Sequence, residues 1–92
     1  MATEIFERGA LVSSLAGHDK GEAFVIIEVV DENYVLIANG KTRKVKSPKR
    51  KKAKHLKPIN AKIDLERFEA HGGLTDGDLQ KAIKETIKKI GG

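Results

Sequence analysis

The residues with the clearest chemical potential are the cations of one short segment. Residues 41–57, here called the basic limb, contain ten of the chain's eighteen Lys and Arg residues and no Asp or Glu, so the limb carries +10. The remaining eight basic and thirteen acidic residues sum to −5, which leaves the 92-residue chain at +5. A mildly acidic body with one intensely basic segment is suited to contact a polyanion at a defined place. The alternative is that the limb is a plain solvated loop.

Other reactive residue types offer little chemistry. His18, His55 and His71 are scattered and the chain has no Cys, so we expect neither a zinc or iron site nor a disulfide, which fits a reducing compartment. His18 and Asp19 could form an acid/base pair, but no nucleophile, metal ligand or third orienting group accompanies them. The loop 17–21 also lacks the GxxxxGK[ST] pattern of a nucleotide-binding loop. The sequence therefore predicts no enzyme and no cofactor.

The elements that must position the limb are short strands separated by turns. The predicted strands cover residues 10–16, 24–30, 34–38 and 41–46, with a further short strand around residues 54–57. Gly17 and Gly21 bracket a turn in which glycine can adopt positive φ, and Asn39-Gly40 predicts a type I′ hairpin turn. Residues 24–27 and 34–38 are apolar at successive positions, so these strands are buried on both faces or strongly curled. We therefore expect a mainly β fold in which a bent sheet closes into a small barrel.

The C-terminal third changes to a helical period. Residues 75–90 carry apolar side chains at helical spacing, with Thr75 as a good N-cap, and residues 63–70 are a candidate for a shorter helix. We expect the apolar stripe of the long helix to pack on the barrel, although it could instead dock onto a partner. The predicted organisation is a barrel over residues 1–58 and a helical extension over residues 59–92. Glu4, Glu7 and Arg8 interrupt any signal-like apolar run, so we expect a soluble cytoplasmic domain.

The first half of the chain also carries a pattern with a known likeness. Residues 9–12, the loop 17–21 and the strand after it resemble the KOW motif of ribosomal proteins and NusG-type transcription factors, with Gly21 at the motif's glycine and Lys20 before it. Segments 14–21, 34–40, 43–45 and 48–56 are similar to the fourteen-e group of large-subunit ribosomal proteins. They are more similar to short KOW-domain RNA-binding proteins of Gram-positive bacteria related to that group. This resemblance, over residues 7–58, implies an SH3-like β-barrel that binds RNA, in particular ribosomal RNA.

The expected RNA contacts are the cationic and histidine side chains of the loop 17–21 and of the basic limb. They are His18, Lys20, Lys41, Arg43, Lys44, Lys46, Lys49, Arg50, Lys51, Lys52, Lys54, His55 and Lys57. His18 stands where the resemblance leads us to expect Arg, so its charge depends on pH. Lys20 could instead be an incidental surface lysine, and His55 could simply border the core. Gly17, Gly21, Asn39 and Gly40 are expected to shape the turns.

Aromatic residues are too few to predict reading of bases. The chain has four, Phe6, Phe24, Tyr34 and Phe68, and we expect the two in predicted strands, Phe24 and Tyr34, to serve the core. Base recognition usually needs rings on which bases stack. The sequence therefore predicts recognition of phosphates and of RNA shape rather than of bases.

Two other non-catalytic functions remain open from the sequence. The chain could be a protein-interaction KOW domain of the transcription or translation machinery, with ribosomal or transcription proteins as partners. Changes on the exposed face of residues 75–90 would then abolish association, whereas charge reversal in the limb would not. It could also bind duplex DNA in general, in which case DNA and structured RNA would compete equally.

Overall fold

The computed structural model describes residues 6–91, apart from the side chain of Asp19. Its strands are β1 (Ala10–Ser14), β2 (Ala23–Val29), β3 (Tyr34–Ala38), β4 (Lys49–Lys52) and β5 (Leu56–Lys62), and its helices are α1 (Leu65–Ala70) and α2 (Asp76–Gly91). Short 3-10 turns cover Gly17–Asp19 and Ala53–His55. The strands form one sheet in the order β4-β3-β2-β1-β5, and every neighbouring pair is antiparallel. The mainly β fold with a C-terminal helix is confirmed.

The sheet curls until its two edges approach each other. β4 and β5 lie at opposite edges of the strand order, yet only the three-residue turn Ala53–His55 joins them. The turn is anchored by its backbone, because the Ala53 amide donates to the Asn33 carbonyl at 2.8 Å and the His55 carbonyl accepts from the Leu15 amide at 2.8 Å. A short connection between edge strands requires strong bending, which gives the small barrel-like form that the sequence predicts.

Successive residues of β2 enter two different cores. Phe24 and Ile26 lie in an inner core that the curled sheet encloses, whereas Val25 lies in an outer core, and all three are fully buried. The inner core also contains Phe6, Val12, Val35, Ile37, Ala53 and Leu56. The outer core also contains Leu11, Ala38, Ile63, Leu65, Leu79 and Ile83. Because side chains alternate across a strand, a continuous apolar run can be buried only when both faces are covered, and the helices cover the outer one.

The predicted hairpin at Asn39-Gly40 is wrong. Within the described residues only glycines have positive φ, so Asn39 lacks the conformation that a type I′ turn requires, although Gly40 has φ +78°. The Asn39 side-chain oxygen instead accepts from the backbone amides of Lys41, Thr42 and Arg43 at 2.9–3.0 Å. These bonds fold the chain into an irregular loop. Residues 41–46 therefore form no strand. The strand that pairs with β3 on the side away from β2 is β4.

The long helix begins where the sequence predicts. The Thr75 hydroxyl accepts from the Asp78 amide at 3.1 Å, and the Asp78 carboxylate accepts from the Thr75 amide at 3.4 Å, which is a reciprocal capping arrangement. Leu79 and Ile83 are buried in the outer core, so the first half of the apolar stripe packs on the sheet. The second half does not, since Ile87 and Ile90 are 38% and 50% exposed.

The helical part is continuous with the sheet. β5 runs to Lys62, which pairs with Ala10 of β1, so the boundary drawn between residues 58 and 59 falls inside a strand. α1 follows directly, and its N-cap Asp64 accepts from the Arg67 amide at 3.3 Å. Neither α1 nor α2 has the length and apolar composition needed to cross a membrane within residues 6–91.

Candidate nucleic-acid interface

Strand β4 consists entirely of cations, and its alternation divides them between two sides. Lys49 and Lys51 pair with Ile37 and Val35 of the inner core and are half-buried. Arg50 and Lys52 occupy the alternate positions and are exposed. The aliphatic stems of half-buried lysines can cover apolar surface while their ammonium groups stay near water. The four cations are therefore accommodated as two on each side of a strand.

Lys51 connects β4 to the glycine-bracketed loop. Its Nζ donates to the Ala16 carbonyl at 3.3 Å, immediately before Gly17. The Leu15–His55 backbone bond lies in the same region, at the end of β1 and of the turn that follows β4. One flank of the loop 17–21 is therefore β4.

The loop after β3 lies on another flank of the same loop. The Thr42 hydroxyl donates to the Glu22 carboxylate at 3.5 Å, one residue beyond Gly21. The Asn39 side chain holds residues 41–43 in place through the three bonds described above. Lys41, Lys44 and Lys46 are exposed in this loop, and Arg43 is half-buried. The structure thus brings both ends of residues 41–52 to the loop 17–21.

The loop 17–21 is itself a tight backbone structure. Gly17 and Gly21 have φ values of +76° and +86°, which other residues rarely adopt. The Lys20 amide donates to the Gly17 carbonyl at 3.2 Å, and the Gly21 amide donates to the Ser14 carbonyl at 2.9 Å. The side chains of His18 and Lys20 are exposed. The His18-Asp19 pairing considered from the sequence lies outside the described part of the structure, because the Asp19 side chain is not described.

The last cations of the limb follow β4. Lys54 is exposed in the turn Ala53–His55, where His55 is half-buried. Lys57 is exposed on β5 opposite Ser13, so it belongs to the far edge strand of the sheet order. No contact described here ties Lys46, Lys54 or Lys57 to the loop 17–21.

Three carboxylates close to the limb accept hydrogen bonds from neutral groups. Glu22 accepts from Thr42, and Asp76 accepts from the Val45 amide at 2.8 Å. Asp31 accepts from the Asn33 and Tyr34 amides at 2.8 and 2.9 Å. Those two amides, with a smaller contribution from the Arg50 charge, lower the pKa of Asp31 below its ordinary value of 3.8. The ten cations of the limb outnumber these three carboxylates.

Ion pairs are also found away from the limb. The structure pairs Arg8 with Glu69, and Lys62 Nζ with Glu7 at 3.2 Å. All four residues lie outside residues 41–57. Within residues 6–91, no three His, Asp or Glu side chains converge to hold a metal ion. The limb holds ten of the chain's eighteen Lys and Arg residues, and neither of these two ion pairs involves them.

One aromatic residue lies elsewhere than the sequence predicts. Phe24 is fully buried in the inner core as expected, but the prediction that Tyr34 serves the core is wrong. Tyr34 is half-buried at the start of β3, and the Arg50 guanidinium carbon lies 4.1 Å from its ring centroid. The two residues are sixteen apart in sequence, and only the β3–β4 register brings them together. The position of Tyr34 directly after a polar turn was the available signal.

Comparisons with known proteins give the chain its family. No protein-family model matches it. The large ribosomal subunit protein eL14 of Pyrobaculum arsenaticum is 31% identical over 81 residues, which cover 88% of this chain and 74% of that protein. The eL14 of Staphylothermus marinus is 32% identical over 77 residues, covering 84% and 75%. The chain belongs to the eL14 family. This confirms the resemblance to the fourteen-e group, and the closer resemblance to KOW-domain proteins of Gram-positive bacteria stays a prediction.

The eL14 similarity is longer than the sequence resemblance alone suggests. A match over 88% of 92 residues necessarily extends past Pro58. The eL14 of Pyrobaculum aerophilum matches over the same share of the chain, again at 31% identity. The region that contains α1 and the start of α2 is therefore part of the family likeness, which the resemblance over residues 7–58 did not include.

Proposed function

We propose that this chain is a non-catalytic RNA-binding protein that associates with the ribosome and takes part in translation in the cytoplasm. The proposed KOW-type barrel holds the loop 17–21 and the basic limb together, and their cations bind the phosphates of structured ribosomal RNA. The observation that carries the proposal is the pair of contacts from Lys51 to Ala16 and from Thr42 to Glu22, which set two cationic segments around one glycine-bracketed loop. The eL14 relatives are named as large-subunit ribosomal proteins, which supports the same function.

The driving force is electrostatic. Clustered cations on a folded surface repel one another, and RNA phosphates relieve this repulsion while condensed counterions are released. The cations of β4 and of the neighbouring loop belong to segments with an ordered backbone. Binding therefore costs little backbone conformational entropy in the limb. Recognition by phosphate contacts also favours a folded RNA whose backbone presents phosphates at matching positions.

Charge reversal at matched positions tests this proposal. The double variant Arg50→Glu and Lys52→Glu changes the exposed cations of β4, and the double variant Lys88→Glu and Lys89→Glu makes an equal change in net charge on exposed residues of α2. We expect the β4 variant to weaken binding to a structured ribosomal RNA fragment by roughly 10-fold or more and the α2 variant to have a much smaller effect. Equal losses would show that only net charge matters and would contradict a localised interface.

Crosslinking identifies the RNA. Cellular RNA crosslinked to the chain should be ribosomal, and the crosslinked peptides should fall in residues 17–21 and 41–57. Competition with duplex DNA provides the second readout. Equal displacement by DNA and by structured RNA would favour general duplex binding instead.

The exposed end of α2 favours protein contact as a second candidate function. Ile83 and Ile87 line a groove of about 650 Å³ between α2 and the loops at Glu22 and Lys41, and Lys81 and Lys84 border it. An apolar floor with basic borders fits an acidic segment of a neighbouring protein. Ile87→Ser should then weaken association with the ribosome while the affinity for naked RNA is unchanged. Unchanged association would leave α2 with a purely structural role.

A further inference from the structure

The Arg50 guanidinium lies over the Tyr34 ring on the outward side of the paired strands β3 and β4. The Arg50 guanidinium carbon is 4.1 Å from the Tyr34 ring centroid, within the range of cation–π attraction. Tyr34 is opposite Lys52 in the register, and Arg50 is two residues before Lys52. Because side chains alternate along a strand, all three share one face of the sheet. The Tyr34 ring thus has two exposed cations, Arg50 and Lys52, as neighbours on the same face.

The β2–β3 turn holds this pair in place. Asp31 accepts from the amides of Asn33 and Tyr34, which fixes the turn that leads into the ring. Those amides are the main cause of the lowered pKa of Asp31, and the positive charge of Arg50 lowers it to a smaller extent. The contact with the Tyr34 ring therefore favours the observed position of Arg50, and the charge of Asp31 adds a smaller electrostatic attraction.

A hollow borders the ring at this point. It has a volume of about 280 Å³ and is lined by Asn33, Tyr34, Lys52 and Lys54. Arg50 is not among the residues that line it. The Asn33 backbone is anchored at both polar groups, since its amide donates to Asp31 and its carbonyl accepts from Ala53. The side-chain amide of Asn33 remains as a donor and acceptor on the hollow.

This combination matches one ligand chemistry. A flat ring, an amide that can both donate and accept, and two ammonium groups complement a nucleobase with its flanking phosphates. The hollow has a volume slightly below the ~300–1,000 Å³ of sites that enclose drug-sized ligands. This small volume favours one base over a larger free ligand. We propose that this hollow receives a single unpaired base of the bound RNA, which packs on Tyr34, meets Asn33 at its edge and has its phosphates bound by Lys52 and Lys54.

The inference rests on the proposed RNA binding and extends it from phosphate contact to base recognition. The sequence predicted no base recognition, because it placed Tyr34 in the core. The probes are three forms of one RNA hairpin: one with a single bulged adenosine, one with an abasic nucleotide at the bulge, and one fully paired. The first two have equal numbers of phosphates, so their difference measures the base alone.

We expect the wild-type chain to bind the bulged adenosine roughly 5- to 100-fold more tightly than the abasic form, as stacking of one base predicts. Tyr34→Leu should abolish this preference, and retained binding of the abasic RNA would show that the variant is folded. Tyr34→Phe keeps the ring and should keep the preference. Arg50→Lys keeps the charge but loses the guanidinium plane and should reduce the preference.

Nuclear magnetic resonance gives a direct readout, because Tyr34 is the only tyrosine in a chain without tryptophan. Its ring signals should shift upfield with the bulged adenosine and not with the abasic form. Equal wild-type affinity for the two bulged RNAs, or an unshifted ring signal, would overturn the base site while leaving phosphate binding intact. Absence of binding to all three RNAs would overturn the base site and would contradict the proposed function as well.

Discussion

Truncating one side chain of α2 should destabilise the barrel as well as the helix. Leu79 is fully buried in the outer core, where residues of β1 and β2 surround it. Leu→Ala at such a site costs about 2–5 kcal/mol, and a small domain has only about 5–15 kcal/mol of stability. A loss of about 3 kcal/mol would lower the Tm by roughly 12–24 °C in a chain of this size. We therefore expect Leu79→Ala to lose a large share of the free energy of unfolding.

Two optical probes can follow the two parts of the molecule separately. Far-ultraviolet circular dichroism reports on the helices, and the fluorescence of Tyr34 reports on β3 of the sheet. Because the outer core joins α2 to the sheet, the urea midpoints from both probes should coincide in the wild type and should shift together in Leu79→Ala. Ile87→Ala is the matched control, since Ile87 is 38% exposed and should lose only about 1–1.5 kcal/mol.

One result would refute this reasoning. If Leu79→Ala lowered only the circular dichroism midpoint and left the Tyr34 transition unchanged, the helical extension would fold independently of the barrel. Residues 1–58 and 59–92 would then unfold as two separate units, as the predicted division implies, and the outer core would not couple their free energies of unfolding.

Three further predictions concern local features. Gly40→Ala should lower the free energy of unfolding in urea by about 2–5 kcal/mol, because an added Cβ would combine a positive φ with a clash against the first carbonyl of α2. Gly21→Ala is the control, since its Cβ would enter open space, and it should cost about 1–2 kcal/mol. Equal losses would contradict the clash. Thr75→Ala should lower the stability by about 1 kcal/mol through the lost cap to Asp78, and an unchanged urea midpoint would contradict this. Asp31 should titrate with a pKa below 3.8 when its carboxyl resonance is followed by nuclear magnetic resonance, and a pKa at or above 3.8 would contradict the account. Its carboxylate therefore stabilises the fold above that pH, and this stabilisation is lost as the pH falls through the lowered pKa. Asp31→Asn should weaken this acid dependence of stability.

The cores were readable from the sequence because their signals are local. The run Phe24–Ile26 is apolar at every position, which requires cover on both faces, and the structure provides it. The start of α2 was equally readable, since Thr75 and Asp78 carry the cap within four residues. Signals of this kind depend on neighbours in the chain and need no knowledge of the tertiary fold.

The site was less readable because its geometry depends on pairing at a distance. Asn39-Gly40 has the composition of a tight hairpin, but Asn39 bonds three later amides and opens a long loop. β4 then forms from four cations with weak strand propensity, because β3 offers an unpaired edge. The register that follows places Arg50 on Tyr34, and no spacing in the sequence indicates that contact.

The central claim is that the cations around the loop 17–21 bind RNA phosphates, and salt dependence tests it most directly. The association constant of the wild-type chain for a structured ribosomal RNA fragment should be measured as salt is raised from roughly 50 to 200 mM. If about four to six cations meet phosphates, log K should fall against log[salt] with a slope of roughly −3 to −5. A slope near zero would mean that the basic limb does not bind the RNA backbone, and it would contradict the account.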